Sequence, residues 1–389
     1  MAAKSLVLHI GDPKTGTSSI QHVLRNSLWE ASTISLAYPD QLNSFPLANA
    51  LSDPKQAAQR DARFTKLATW LASTDADVAV VSAEQFFRVD PQKLLDTLNE
   101  FVPDYVPTLR VVAYVRPHAS RFLSAFMQRG KAGLYFGDAD TFFMKTKAEK
   151  LLRFAPRFQR WRDTFGDRFT LRPMIRSHLR DGDVVSDFLN ITLGGAPFKL
   201  VEAVDANPSL PLEYLVGLRE LQAVLKRNQI ANGVRHAVGD YVGMTLARTH
   251  PHHGTKLQIT EELYKKVKLF CQSDAEALDA VFFDGQPLMA QALKQAGADV
   301  VAEQQPMAIR SHYSEDSIVE LREKSRNVVS MFKKRPMAWT VAFEQKIGQR
   351  ISKPGTEPPK QVLAHIEKVN DTLTKIARII AEESLAKPE

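Results

Sequence analysis

In the first 200 residues, short apolar runs alternate with longer amphipathic stretches. The apolar runs lie at residues 5–10, 77–82, 109–115 and 168–174, and side chains on both alternations of each run are mostly apolar. Strands with two apolar faces are typical of parallel sheets covered by helices on both sides. The pattern therefore predicts an α/β fold with a central parallel sheet flanked by helices, which binds ligands at the carboxyl ends of its strands.

The stretches between and after these runs have helical periodicity. Asp90 and Pro91 suit the N-cap and first position of one such helix. Beyond the sheet, the periodicity predicts a mostly helical region from about 205 to 298. The helices expected between the strands span residues 17–29, about 55–72, 91–101, 119–130 and 146–164.

The last part of the chain, residues 301–389, predicts a helical C-terminal extension to a domain of residues 1–300. Linker-like segments with Pro and charge at 303–316 and 351–361 bracket a basic stretch, for which a solvated face is favoured over contact with a membrane or an anionic polymer. Apolar residues then follow heptad spacing. About three heptads fit equally a helix that packs back on the protein and one that forms a homo-oligomer. The six residues are Val362, Ile366, Val369, Leu373, Ile376 and Ile380.

The net charge of +7 favours anionic ligands, but lysine and arginine are spread along the chain, so nucleic acid is not predicted as a partner. Cys271 is the one cysteine of the chain, which rules out an intrachain disulfide and fits a reducing compartment. The N-terminal apolar run is too short for a signal peptide, and no run of 18 apolar residues exists. We expect a cytoplasmic protein without a transmembrane segment.

A glycine-containing loop, residues 11–18, joins the first strand to the first helix. Its glycines permit a tight turn, and the N–H groups of Thr15 to Ser18 are expected to point at an anion from a helix N-terminus. Thr17 and Ser18 add hydroxyl donors, and Lys14 adds a point charge. In an ATP-binding P-loop the lysine follows the second glycine, here Gly16, and an acidic pair holds magnesium. Neither feature is present. Their absence counts against a P-loop kinase for a small molecule, which is the alternative function.

The segment HIGDPKTGTSSIQ, residues 9–21, resembles the 5′-phosphosulfate loop of sulfotransferases that use 3′-phosphoadenosine 5′-phosphosulfate (PAPS), in the form found in their carbohydrate-type and bacterial branches. A second motif agrees with the first. This family holds the 3′-phosphate with an arginine at a strand end and a serine eight residues later, and Arg116 and Ser124 have that spacing. Looser similarities extend over about residues 5–298, including 161–189 and 207–215.

Glu84 follows the strand at 77–82 and is expected beside the loop at the edge of a parallel sheet. A carboxylate there can take the proton of an attacking hydroxyl, although a glutamate that only complements a helix dipole is the simpler alternative. The resemblance favours the catalytic alternative, since a glutamate after this strand is the proposed base in several carbohydrate sulfotransferases.

The resemblance implies a P-loop-like sulfotransferase fold and an enzyme that transfers a sulfuryl group from PAPS to a hydroxyl, or as second choice an amine, of a glycan or glycolipid. Lys14 and Glu84 are then catalytic, and no metal is needed. A non-catalytic nucleotide-binding assembly protein is a further alternative. A zinc site could use His250, His252 and His253, but the sequence offers no further ligands for a structural site. The implied PAPS-binding residues are Lys14, Thr15, Gly16, Thr17, Ser18, Arg116 and Ser124.

Overall fold

The computed structural model describes residues 4–201, 210–250, 254–348 and 358–385. These fall into two compact units. The first comprises the described residues of Met1–Arg121, Leu151–Val204 and Lys268–Lys294, and the second those of Phe122–Lys150, Asp205–Val267 and Gln295–Glu389. The predicted division at residue 300 stays a prediction. The second unit takes in segments from both sides of that residue.

The strands in the described residues are β1 Ser5–His9, β2 Trp29–Ala31, β3 Leu36–Ala37, β4 Val78–Ser82, β5 Arg110–Val115, β6 Phe169–Pro173, β7 Phe198–Leu200, β8 Ile259–Thr260 and β9 Val300–Val301. The first unit is built on a five-stranded parallel sheet with the order β3-β4-β1-β5-β6, so β1 is central. Strands β2 and β7 form an antiparallel pair in this unit, and β8 and β9 form a parallel pair in the second unit.

Fifteen α-helices are found in the described parts of the chain. None of them is long and apolar enough to cross a membrane. Their bounds are α1 Thr17–Arg25, α2 Phe45–Ser52, α3 Arg60–Ser73, α4 Pro91–Phe101, α5 His118–Lys131, α6 Ala139–Ala148, α7 Ala155–Phe165, α8 Val184–Thr192, α9 Leu212–Arg227, α10 Asn232–Thr249, α11 Glu261–Phe282, α12 Leu288–Gln295, α13 Glu315–Lys334, α14 Ala338–Lys346 and α15 Lys360–Leu385.

The predicted fold class is confirmed, and each of the four predicted strands is present within one residue of its expected ends. Asp90 is the N-cap of α4 and accepts backbone hydrogen bonds from Gln92 and Lys93, as the sequence indicates. The expected region of helices after 205 is also found in α9 to α12.

The single helix expected over 146–164 is wrong, because α6 ends at Ala148 and α7 begins at Ala155. Lys150 adopts a left-handed conformation with φ of +53°, and Pro156 lies in the first turn of α7, where proline is tolerated, rather than in a helix interior. Helix α1 is shorter than expected for a similar reason, since Ser27 has φ of +51°.

The core of the first unit lies against the sheet. Val7, Val80 and Val112 belong to the three central strands and are almost fully buried. Helices α1 and α8 supply the facing apolar side chains, among them Ile20 and Phe188. Because the central strands are covered on both sides, their sequences are apolar at nearly every position.

The core of the second unit is formed by α9, α10, α13, α14 and α15. Val369, Leu373, Ile376 and Ile380 of the heptad pattern are completely buried in it. Helix α15 packs on α9, α10 and α13, which supports the alternative in which the C-terminal helix packs back on the protein. Homo-oligomerisation stays a prediction. Much of the linker expected at 351–361 lies outside the described residues.

Replacing Ile376 by alanine tests this assignment of α15. The change leaves a cavity in the helical core, so we expect the free energy of unfolding to fall by about 2–5 kcal/mol, measured by urea unfolding. Leu363→Ala on the same helix is the control: its side chain is exposed, and the loss should stay below about 0.5 kcal/mol. Equal losses in the two variants would contradict the packing described here.

Candidate functional site

The loop between β1 and α1 passes very close to the residues that follow β4 and to α8. A Cβ atom on Gly11 would lie 3.1 Å from the Cα of Glu84, and one on Gly16 would lie 2.5 Å from a methyl group of Val184. Both glycines also have positive φ values, +50° and +79°. Glycine is therefore required at both positions, by space and by conformation.

Lys14, at the centre of the loop, adopts a left-handed conformation with φ of +73°. A residue other than glycine in this region carries strain of about 1–3 kcal/mol, which the surrounding contacts must hold in place. Thr15 helps to hold the conformation, since its hydroxyl donates to the Asp12 carbonyl at 2.6 Å. The Thr15 side chain is thus occupied, which leaves its backbone N–H as the group that can meet a ligand.

Helix α1 begins immediately after the loop without a side-chain cap. The first amides of a helix have no intrahelical acceptor, so the N–H groups of Thr17 and Ser18 are available at this end. The Thr17 side chain is 4% exposed, and its hydroxyl has no hydrogen-bond partner among the described residues. Leaving a buried hydroxyl unsatisfied costs about 1–3 kcal/mol, which an anionic ligand at this position would recover. Ser18 is exposed.

Asp12 is fully buried, and its carboxylate is paired with two arginines. Arg121 of α5 donates to it at 3.2 Å, and Arg157 of α7 makes a second, shorter contact. The guanidinium of Arg157 also lies 5.5 Å from the ring centre of Phe87. The negative charge that Asp12 brings to the loop is therefore compensated within the protein, and the Asp12 carboxylate anchors the loop to two helices.

Arg116 follows β5 and lies against the loop. Its Nη1 donates to the carbonyl of Lys14 at 3.3 Å, and its Nε donates to the Ser120 hydroxyl at 3.2 Å. Burial lowers the pKa of Arg116, and the nearby charge of Arg121 lowers it further. A partly desolvated guanidinium of this kind gains from an anionic partner.

Ser124 lies on α5, one helical turn after Ser120, and is half-buried. It belongs to the second compact unit, whereas Arg116 belongs to the first. Its role in binding a 3′-phosphate stays a prediction.

Glu84 opens a short 3-10 helix, Glu84–Arg88, directly after β4. Burial raises the pKa of its carboxyl, and Asp12 raises it as well, while Lys14, Arg121 and Arg88 act in the opposite direction. Glu84 therefore lies within electrostatic reach of the loop lysine and the loop aspartate. A carboxylate with a raised pKa beside a cationic loop suits a general base.

A buried polar cluster, formed by His9, Ser82 and Gln21, lies beneath the loop. His9 and Ser82 are paired residues of β1 and β4, and the His9 Nδ1 and Ser82 Oγ atoms are 2.9 Å apart. Gln21 of α1 donates to the same hydroxyl at 3.0 Å. The cluster joins the two strands that lead to Gly11 and Glu84 to the helix that follows the loop. The sequence alone does not indicate this cluster.

A second buried pair fixes the start of α5. The His118 Nε2 and Asp274 Oδ2 atoms are 2.9 Å apart, and both side chains are almost completely buried. Asp274 also accepts the backbone N–H groups of Phe154 and Ala155 at 2.9 and 3.2 Å. Since His118 comes two residues after Arg116, the pair helps to fix where the strand end meets the helix.

The structure describes one of the three histidines at 250–253. His250 ends α10 and contacts the Thr249 hydroxyl at 2.7 Å, whereas His252 and His253 lie outside the described residues. No group of three or more metal-ligating side chains is found in the parts of the chain that are described. The start of the 207–215 segment is likewise outside them.

Burial raises the pKa of Cys271 to about 12, so its thiol is not a nucleophile at neutral pH.

A scan of protein-family models finds no match, and a search of curated proteins finds no relative. Among solved structures, the chain is similar to a sulfotransferase from Alicyclobacillus acidocaldarius. The sequence identity is 11% and the TM-score 0.38, over 72% of this chain and 96% of that one. At this distance the similarity assigns neither a fold family nor an activity.

The buried His9 predicts a pH dependence of stability. Burial lowers its pKa to about 3, whereas the unfolded chain binds the same proton near pH 6.5. Because the unfolded state binds more protons between these values, stability should fall as the pH is lowered from 6.5 toward 3, by up to about 1.4 kcal/mol per pH unit.

Urea unfolding of His9→Asn at several pH values measures this contribution. We expect the free energy of unfolding of the variant to depend less on pH between 3 and 6.5, because the variant lacks the His9 imidazole, while asparagine can still contact Ser82. His178→Asn, at an exposed histidine, is the control and should keep the wild-type slope. An unchanged slope in His9→Asn would show that His9 is not held neutral.

Proposed function

We propose that this protein is a sulfotransferase that moves a sulfuryl group from PAPS to a hydroxyl group of a carbohydrate or glycolipid. The observation that supports the proposal most directly is that the lysine-containing loop, residues 11–18, lies beside a half-buried carboxylate. Gly11 packs against the backbone of Glu84 at the carboxyl edge of the sheet. Burial raises the pKa of that carboxyl, and the charge of Lys14 partly offsets the rise.

Binding of the phosphosulfate group is supported by the unsatisfied donors of the loop. The buried Thr17 hydroxyl and the first amides of α1 converge on one helix N-terminus, where an anion is stabilised by the helix dipole. Lys14 would add a full positive charge. The 3′-phosphate is assigned to Arg116 and Ser124 on the resemblance, and the contact between Arg116 and the Lys14 carbonyl supports a common nucleotide site.

The reaction follows from these roles. Glu84 accepts the proton of the acceptor hydroxyl as its oxygen forms a bond to sulfur. Lys14 and the loop amides neutralise the charge that develops on the 5′-phosphate oxygen as its bond to sulfur breaks and it leaves with the electron pair. Arg116 holds a remote phosphate, and binding energy at that distance orients the reacting atoms.

The carbohydrate acceptor rests on the resemblance to the carbohydrate-type branch. PAPS supplies the activated sulfuryl group. The chain itself therefore needs to bind PAPS and the acceptor, to orient them, and to transfer one proton. The same loop could serve a P-loop kinase, and the choice between the two is settled by which nucleotide binds.

A thermal shift comparison distinguishes the two nucleotides. Adenosine 3′,5′-bisphosphate, the product that PAPS leaves behind, should stabilise the protein by about 2.7 kcal/mol at 100 times its Kd and raise the Tm by several degrees. ATP with magnesium should give a smaller shift. Arg116→Ala should reduce the shift, whereas the exposed control Arg176→Ala should not. A larger shift with ATP and magnesium would favour the kinase.

Turnover of Glu84→Gln tests the base. Glutamine keeps the shape of the side chain but cannot take the proton, so kcat should fall by about 10²–10⁴-fold while the Kd of adenosine 3′,5′-bisphosphate changes little. Because burial raises the pKa of Glu84, the wild-type kcat should begin to fall, as the pH is lowered, at a pH above the usual pKa range of glutamate. The kcat of the variant should not show this decline.

The companion variant Lys14→Ala should lose turnover altogether, and Lys66→Ala, at an exposed lysine of α3, is its control. Full activity in Glu84→Gln would contradict the role of the base, and full activity in Lys14→Ala would contradict the role of the loop lysine.

A further inference from the structure

The second unit contains a basic groove between α13 and α15 that the proposed function does not use. It has a volume of about 370 Å³, and four of its lining residues are lysines. Lys324 and Lys334 come from α13, and Lys368 and Lys375 come from α15. No acidic side chain lines the groove among the described residues.

The two helices run antiparallel along the groove. Near the start of α13, the hydroxyl of Tyr313 donates to the carbonyl of Ile380, toward the end of α15, at 3.4 Å. At the opposite end, burial lowers the pKa of His365 on α15, and the charges of Arg335 and Lys334 at the end of α13 lower it further. The end of α13 therefore lies beside the start of α15 in a region of positive potential.

This arrangement sorts the lysines into two pairs. Lys334 and Lys368 lie toward one end of the groove, and Lys324 and Lys375 lie toward the other. The helical rise separates the pairs by about 10–15 Å. A single small anion reaches one pair, whereas a linear ligand with charged groups at this spacing reaches both.

The lysine charges are poorly compensated within the protein. Lys324 has an ion-pair partner, Glu320, at the long distance of 3.9 Å. Lys334, Lys368 and Lys375 are exposed, and no ion pair involves them within the described ranges. Exposed ammonium groups gathered along one groove attract polyanions through their summed potential.

The remaining lining residues indicate the class of polyanion. Asn327, Ser330 and Thr372 offer neutral hydrogen-bond groups between the lysine pairs, and Met331 is the apolar residue there. No aromatic side chain lines the groove, so it lacks the stacking platforms that bind single-stranded nucleic acids. Amide and hydroxyl groups between separated cations suit a chain of sugar rings with hydroxyls between its charges.

We propose that the groove between α13 and α15 binds a linear acidic polysaccharide, with its sulfate or carboxylate groups at the two lysine pairs and its sugar hydroxyls between them. The site is independent of the proposed transferase activity, since it is built entirely from the second unit and needs no PAPS.

Binding of a heparin-derived hexasaccharide to the full chain, without nucleotide, tests the site by calorimetry. We expect binding to the wild type that weakens with added salt, and no binding of neutral maltohexaose. The double variant Lys368→Gln/Lys375→Gln should raise the Kd by about tenfold. Both side chains are exposed, so the Tm should stay at the wild-type value.

The matched control is Lys145→Gln/Lys147→Gln on α6, which removes the same charge from the same unit and should change the Kd less than twofold. Wild-type affinity in the groove variant, or an equal loss in the control, would overturn the site. Polyphosphate or a thymidine hexanucleotide that binds as tightly, with the same dependence on Lys368 and Lys375, would overturn the polysaccharide assignment.

Discussion

The site depends on the parallel pairing of β1 with β4, which sets His9 opposite Ser82. This register brings the loop after β1 and the segment after β4 to the same edge, where Gly11 contacts the Glu84 backbone. The buried hydrogen bonds of Ser82 with His9 and Gln21 hold strands and helix in this relation. A slip of the register would separate the anion loop from the carboxylate.

Charge compensation is the second constraint on the site. The loop carries a buried aspartate, Asp12, which two arginines neutralise, so that Asp12 does not cancel the positive charge of Lys14 or the dipole at the start of α1. Arg121 also influences the pKa values of both Glu84 and Arg116. The loop, Glu84 and Arg116 thus form one electrostatic unit, in which a change at one charge shifts the pKa values of the others.

Features determined by local sequence could be predicted, and features determined by distant contacts could not. The central strands are apolar on both faces, and the glycines of the loop are needed by their own backbone angles, so both were predicted. The break before Pro156 was missed although proline marks it. The partners of Asp12 lie more than 100 residues away on α5 and α7, and the cluster around Ser82 joins β1, α1 and β4. No spacing rule connects such residues before the fold is known.

We propose that the loop, Glu84 and Arg116 together serve sulfuryl transfer. The most direct measurement is product analysis by mass spectrometry after the wild-type protein is incubated with PAPS carrying labelled sulfur and a panel of glycans and glycolipids. We expect a labelled sulfate ester on at least one acceptor, with an equal amount of adenosine 3′,5′-bisphosphate. Formation of a phosphorylated product from ATP, with no labelled ester from PAPS, would contradict it.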